Sequence, residues 1–254
     1  MKKLLFILVL AFMVGAFYGY YQDKKTEAQE EGKMDTLLSN KNTNQDKANV
    51  TKENGVTLIK NVPLIMQMPE LDRGCEVTSL AMLLQYAKVD VDKMELAKKI
   101  KKLDTPYEHK NGVYYYGNPN DGFVGDIYTF DKMGYGVYHK PIASLGEKYL
   151  PDRIKDISGQ SFKDVLRNIE KGKPVWIITN ATFKKLPENE FRTWNTPSGK
   201  VQITWKEHSV VITGFDEENV YINDPLVNKP NRKLPKDAFQ KAWEQMGSQA
   251  ITIH

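Results

Sequence analysis

The sequence predicts an α+β domain over residues 57–254, and three observations carry that prediction. Helical periodicity dominates the first half of the span, apolar strand-like runs dominate the second, and a polar stretch sets both apart from an apolar N-terminus. Helices first and strands later favour segregated helix and antiparallel-sheet layers over an alternating parallel arrangement.

Taken in order, the first residues, MKKLLFILVLAFMVGAFYGYY, place two lysines before an uncharged run from Leu4 to Tyr21. The length suits either a secretory signal or a membrane anchor. Val14-Gly15-Ala16 offers small residues for cleavage, and no cysteine follows to take a lipid. Residues 1–21 therefore read as a signal peptide or anchor, and the bulk of the protein is expected outside the cytoplasm, secreted or held at the membrane. Residues 22–56 are rich in Lys, Glu, Asn, Gln and Thr, too polar to offset the entropy of ordering. They read as a disordered tether.

Within the domain, CEVTSLAMLLQYAK puts Val77, Leu80, Ala81, Leu83 and Leu84 at helical spacing. VDKMELAKKIKKL predicts a second helix opening at Asp90 or Asp92, and GDIYTFDKMG a short one ending at Gly134. SGQSFKDVLRNIEKGK predicts a helix capped by Ser158 or Ser161 and stopped at Gly172. The runs PVWIIT, KVQITW, HSVVITGF, NVYIND and QAITI then predict strands. YEHKNGVYYYGNPNDGFVGD between the halves reads as loop. Its NPNDGFVGD has calcium-loop letters at the wrong spacing, so a structural turn is expected. The Val113–Gly117 aromatics, Trp194 and Trp205 read as strand and core residues that could also line a cleft.

A net charge of +4 is too small to argue for nucleic acid, and no run reads as a zinc site, a phosphate loop or a dinucleotide fingerprint. No cofactor or metal is expected. The chain holds one cysteine, Cys75. Secreted proteins that use cysteine structurally use it in pairs, so a single one is an intermolecular bridge, a buried apolar residue or a reactive thiol. Gly74 and the helix that follows place Cys75 at the positive end of a helix, which favours a thiolate. The adjacent Glu76 would oppose it slightly.

A cysteine nucleophile needs a base held by a third group. Of the four histidines, His254 is terminal, and His109 and His139 lie in polar surroundings. His208 opens the apolar strand HSVVITGF, at the rim of a core. Asp224 on the next strand could hold its ring, although a two-residue turn at Glu217-Glu218 would pair Asp224 with Val211 instead. The strand must bulge or bend for the two to meet. Gln67, shortly before Cys75, could donate to an oxyanion.

The order Gln67, Cys75, His208, Asp224 resembles that of papain-like peptidases. The runs NVPLIMQMPELDRGCEVTSLAMLL, EHSVVITGFDEENVYINDP and AWEQMGSQA resemble the bacterial papain-like proteins related to double-glycine leader peptidases, and within them the stand-alone extracytoplasmic branch of Bacillus type. The resemblance implies a papain-like fold and a hydrolase of amide bonds with a peptide or protein substrate. Cys75 would be nucleophile, His208 general base and acid, Asp224 its orienting residue and Gln67 the oxyanion donor. No ATPase motif or set of membrane spans is present, so export-coupled cleavage of leader peptides does not carry over. Acyl transfer and cell-wall amidase action share the same chemistry, and a non-catalytic binding module could keep the same fold.

Overall fold

The computed structural model describes residues 49–254. The apolar run Leu4–Tyr21 and most of the tether lie outside the described residues. Among the described residues no helix is long and apolar enough to cross a membrane. The helices are α1 (Cys75–Tyr86), α2 (Lys93–Lys99), α3 (His139–Glu147), α4 (Phe162–Glu170) and α5 (Lys236–Gln245). In chain order the strands are β1 (Val50–Glu53), β2 (Val56–Ile59), β3 (Lys102–Leu103), β4 (Glu108–Lys110), β5 (Val113–Tyr115), β6 (Phe123–Val124) and β7 (Ile154–Asp156). They continue as β8 (Val175–Asn180), β9 (Phe191–Thr196), β10 (Gly199–Thr204), β11 (Glu207–Phe215), β12 (Asn219–Asn223), β13 (Arg232–Pro235) and β14 (Ala250–Ile253).

An antiparallel sheet of eight strands runs β1-β2-β11-β8-β14-β7, with β12 also pairing β11 and β13 pairing β12. The mixed helix-and-sheet composition follows the expectation, but the segregation is less clean. Short strands β3 to β7 interrupt the helical half, and α5 sits among the C-terminal strands. The tether boundary also moves. Val50–Glu53, placed by composition in the disordered stretch, pair with β2 as a hairpin. GDIYTFDKMG forms no helix. It is an irregular loop closed by a bridge between Gly125 and Gly134, with Asp126 Oδ1 accepting the N–H groups of Tyr128 and Thr129. That side chain competes for the backbone groups a helix would need.

The caps expected of the other helices are present. Asp92 accepts from the Glu95 N–H at the start of α2, and Ser161 from the Asp164 N–H at the start of α4. Helix α1 is buried on every side, all of its residues but Gln85 being shut away from solvent, as in a helix enclosed by a core. Two polar ties fix it to the sheet: the Trp176 indole N–H donates to the Glu76 carbonyl (3.0 Å), and the Ser79 hydroxyl to the Ser209 carbonyl (3.1 Å). Its first residue is thereby set against β11. Gly74 is required just before it, because a Cβ there would stand 2.6 Å from the Leu71 side chain.

The pairing of β11 with β12 resolves the register difficulty. Phe215 pairs with Val220 and Gly214 with Tyr221, but Ile212 pairs with Ile222 and Val211 with Asn223. The extra residue is a β-bulge between Ile212 and Gly214. Continuing the ladder sets Asp224 opposite Val210 rather than Val211. Val210 and His208 are two apart and share a face of the strand, so one inserted residue moves Asp224 onto the face of His208.

Candidate active site

Cys75 is the first residue of α1, capped by the Gly74 backbone without any side-chain cap. The first-turn N–H groups therefore point at whatever lies before the helix. His208 is the second residue of β11 and is 3% exposed. Its Nε2–H donates to Asp224 Oδ1 at 2.9 Å. An ionised carboxylate only accepts, so this bond leaves Nδ1 as the free lone pair of the neutral ring. Asp224 is itself tied down. Its Oδ2 accepts from Arg232 Nη1 (2.7 Å) and its Oδ1 from the Leu226 N–H (3.0 Å). Burial pushes the Asp224 carboxyl up, but His208, the Leu226 N–H and the Arg232 charge outweigh it and hold it below the ordinary range. The Arg232 guanidinium also lies 5.0 Å over the Phe183 ring, and Phe183 meets the His208 ring edge-on at 6.0 Å.

Gln67 is buried, and its backbone N–H donates to the Pro225 carbonyl (2.9 Å), beside Asp224. Its side-chain N–H donates to the Asp72 carbonyl (3.0 Å), while Oε1 meets no partner among the described residues. Gln67, Cys75 and His208 line one cleft of about 400 Å³. The four residues singled out by sequence are thus gathered at one place: three line the cleft and Asp224 stands behind His208. His139 and His109 lie elsewhere, His139 paired with Asp156 and His109 stacked on Tyr114. Trp194 is fully buried in the core, whereas Trp205 is half exposed in the cleft wall.

The electrostatics of the thiol differ from expectation. Cys75 is 7% exposed, and its Sγ donates to Glu76 Oε2 at 3.3 Å. Burial, the charges of Glu76 and Glu207 and the bond to Glu76 push the thiol well above its ordinary value, against a smaller pull toward thiolate from the Ser209 backbone. The helix terminus does not win against the thiol's own burial and the two carboxyls beside it. Glu76 is itself pushed up to about 7 by burial, although the Val137 N–H donates to its Oε1 at 2.7 Å. Glu207 is also raised well above its ordinary value, by burial and by the Glu76 charge. Cys75, Glu76 and Glu207 offer ligand atoms within 4.8 Å of one another, the one such grouping among the described residues.

Sequence reasoning missed Glu207, Arg232 and Phe183. Glu207 directly precedes His208, where a charge before a strand reads as a solvated turn. Arg232 and Phe183 carry no local signal, because only the folded sheet brings them to Asp224 and His208.

A neutral thiol, an imidazole with a free Nδ1 and a carboxylate behind it can attack a carbonyl carbon and shuttle one proton. Comparison with known proteins shows the family to which such an arrangement belongs. The protein YvpB of Bacillus subtilis (strain 168), uncharacterized, is 43% identical over 258 residues, spanning 100% of this chain and 99% of that one. A Bacillus anthracis crystal structure, provisionally named as a C39-like peptidase, superposes with a TM-score of 0.73 at 55% identity, covering 78% of this chain and 96% of that one. The Peptidase_C39 like family matches residues 59–251. The chain therefore belongs to the peptidase C39-like family.

Proposed function

We propose that this protein is an extracytoplasmic cysteine peptidase of papain-like fold that hydrolyses amide bonds with Cys75, His208 and Asp224. The convergence of Cys75, His208 and Gln67 on one cleft, with Asp224 bonded to His208, carries the reading. Family membership and the Bacillus anthracis likeness support it. The apolar run Leu4–Tyr21 supports a place outside the cytoplasm.

Because burial and the neighbouring carboxyls favour a protonated thiol, Cys75 needs a base at the moment of attack. On attack, the Cys75 S–H turns from Glu76 Oε2 to His208 Nδ1 and its proton passes there as sulfur bonds the carbonyl carbon. Asp224 stabilises the imidazolium. The backbone N–H of Cys75 and the Gln67 amide are the donors for the oxyanion. His208 then gives its proton to the leaving amine, and water releases the acyl group from sulfur.

The test is cleavage of a complex peptide mixture, read by mass spectrometry. Cys75→Ala is expected to abolish cleavage and His208→Ala to slow it by about 10²-fold or more. No cleavage by the wild type, together with peptide capture that Cys75→Ala leaves unchanged, would replace the peptidase with a binding module.

A further inference from the structure

Eight large apolar side chains are exposed among the described residues, and five of them, Met68, Phe130, Met133, Trp205 and Leu226, line the Cys75 cleft. Exposed apolar residues scattered singly need no explanation, but their concentration around one concave site marks a binding surface. They reach it from separate segments: the loop before α1, the Gly125–Gly134 loop, the β10–β11 turn and the turn after Asp224.

Phe130, Trp205 and Leu226 are anchored by their surroundings. Phe130, 63% exposed, has its N–H fixed to Asp72 Oδ2 (2.7 Å) and its ring under the Arg73 guanidinium at 4.7 Å. Arg73 is held in turn by the carbonyls of Asp126 and Thr129. Trp205 packs edge-on against Tyr135 and Trp194, at 5.9 and 5.5 Å, and leaves 46% of its surface free. The Leu226 N–H donates to the same Asp224 oxygen that receives His208. The apolar rim is thus built onto the supports of the candidate triad. Beneath it lie Glu76 and Glu207, whose carboxyl oxygens stand within 4.8 Å of Cys75 Sγ and offer an acidic side chain no counter-charge.

Resting on the peptidase reading above, we propose that the substrate is a peptide with large apolar side chains flanking the scissile bond, and that Phe130 and Trp205 select them. Glycine or another small residue there would leave the rim uncovered, and an acidic one would meet the buried carboxyls.

The full-length protein is assayed with fluorogenic peptides carrying Leu, Phe, Gly or Asp on either side of the bond. In parallel, Cys75 alkylation is compared between iodoacetamide and its N-naphthylmethyl derivative. Leu and Phe peptides are expected to exceed Gly and Asp peptides in kcat/KM by about tenfold or more per flanking position. Naphthylmethyl labelling should saturate and run ahead of iodoacetamide. Phe130→Ala and Trp205→Ser, both at exposed positions, should erase the preference and leave the plain iodoacetamide rate unchanged. Equal rates for all peptides would overturn the proposal while leaving the peptidase standing. Saturable apolar labelling without cleavage of any peptide would sink the peptidase and with it the substrate assignment. Sedimentation with phosphatidylglycerol vesicles, lost in both variants and unaccompanied by any peptide preference, would make the rim a membrane-facing surface and overturn the proposal.

Discussion

Cys75 sits between opposing influences, and the balance can be read residue by residue. The helix start and the Ser209 backbone favour thiolate, while burial and two carboxyls favour thiol. Glu207→Gln removes one of the charges, so the iodoacetamide rate should reach half-maximum at lower pH than in the wild type. An unchanged midpoint would show that Glu207 plays no part in the thiol's ionisation. Cys75, His208 and Asp224 are legible because each has a local signature, a helix start, a strand head and a strand end; Gln67 has none and is reached only through the resemblance to papain-like peptidases. Glu76 was visible beside the thiol, but its effect was underestimated. Adjacency in sequence does not tell that both the carboxyl and the thiol are shut away from water, where their interaction is far stronger.

At the level of elements, the bulge between Ile212 and Gly214 brings His208 and Asp224 onto one face. Sequence patterning demanded a bend without locating it, since bulges depend on neighbouring strands. Here the neighbour is β2, which takes over from β8 beside Gly214. A Cβ on Gly214 would lie 2.6 Å from the Thr57 carbonyl oxygen and 2.7 Å from Leu58 Cδ1. Gly214→Ala should therefore cost roughly 2 kcal/mol of stability by overpacking, read as a lowered urea midpoint. A midpoint equal to the wild type's would mean that the β2 contact yields freely. The hairpin β1–β2 was hidden for a related reason. Val50–Glu53 have a polar composition and gain their order from pairing with β2, a long-range effect that composition does not report. The Gln67 segment has its own clamp. The Lys93 ammonium of α2 donates to the carbonyls of Met66 and Gln67 at 2.6 and 2.8 Å, and to Glu70.

For the whole molecule, the buried acids tie stability to pH. Glu76 ionises near 4.5 in its ordinary state and at about 7 when folded. Between those values the folded state keeps a proton that the unfolded chain has lost, so stability falls as pH rises through the window and levels off above it. The shift corresponds to about 3 kcal/mol. Glu207 acts in the same sense, whereas Asp224, held low, lends stability that is lost only at more acid pH. Urea midpoints at pH 5 and pH 8 should therefore differ less in Glu76→Gln than in the wild type; an equal difference would show that Glu76 does not carry the effect. The same acids bear on durability. Peroxides and disulfides react with the thiolate, not the thiol. A buried cysteine kept protonated is a poor target for oxidation, so the burial and the carboxyls that make Cys75 a reluctant acid also protect it from oxidants.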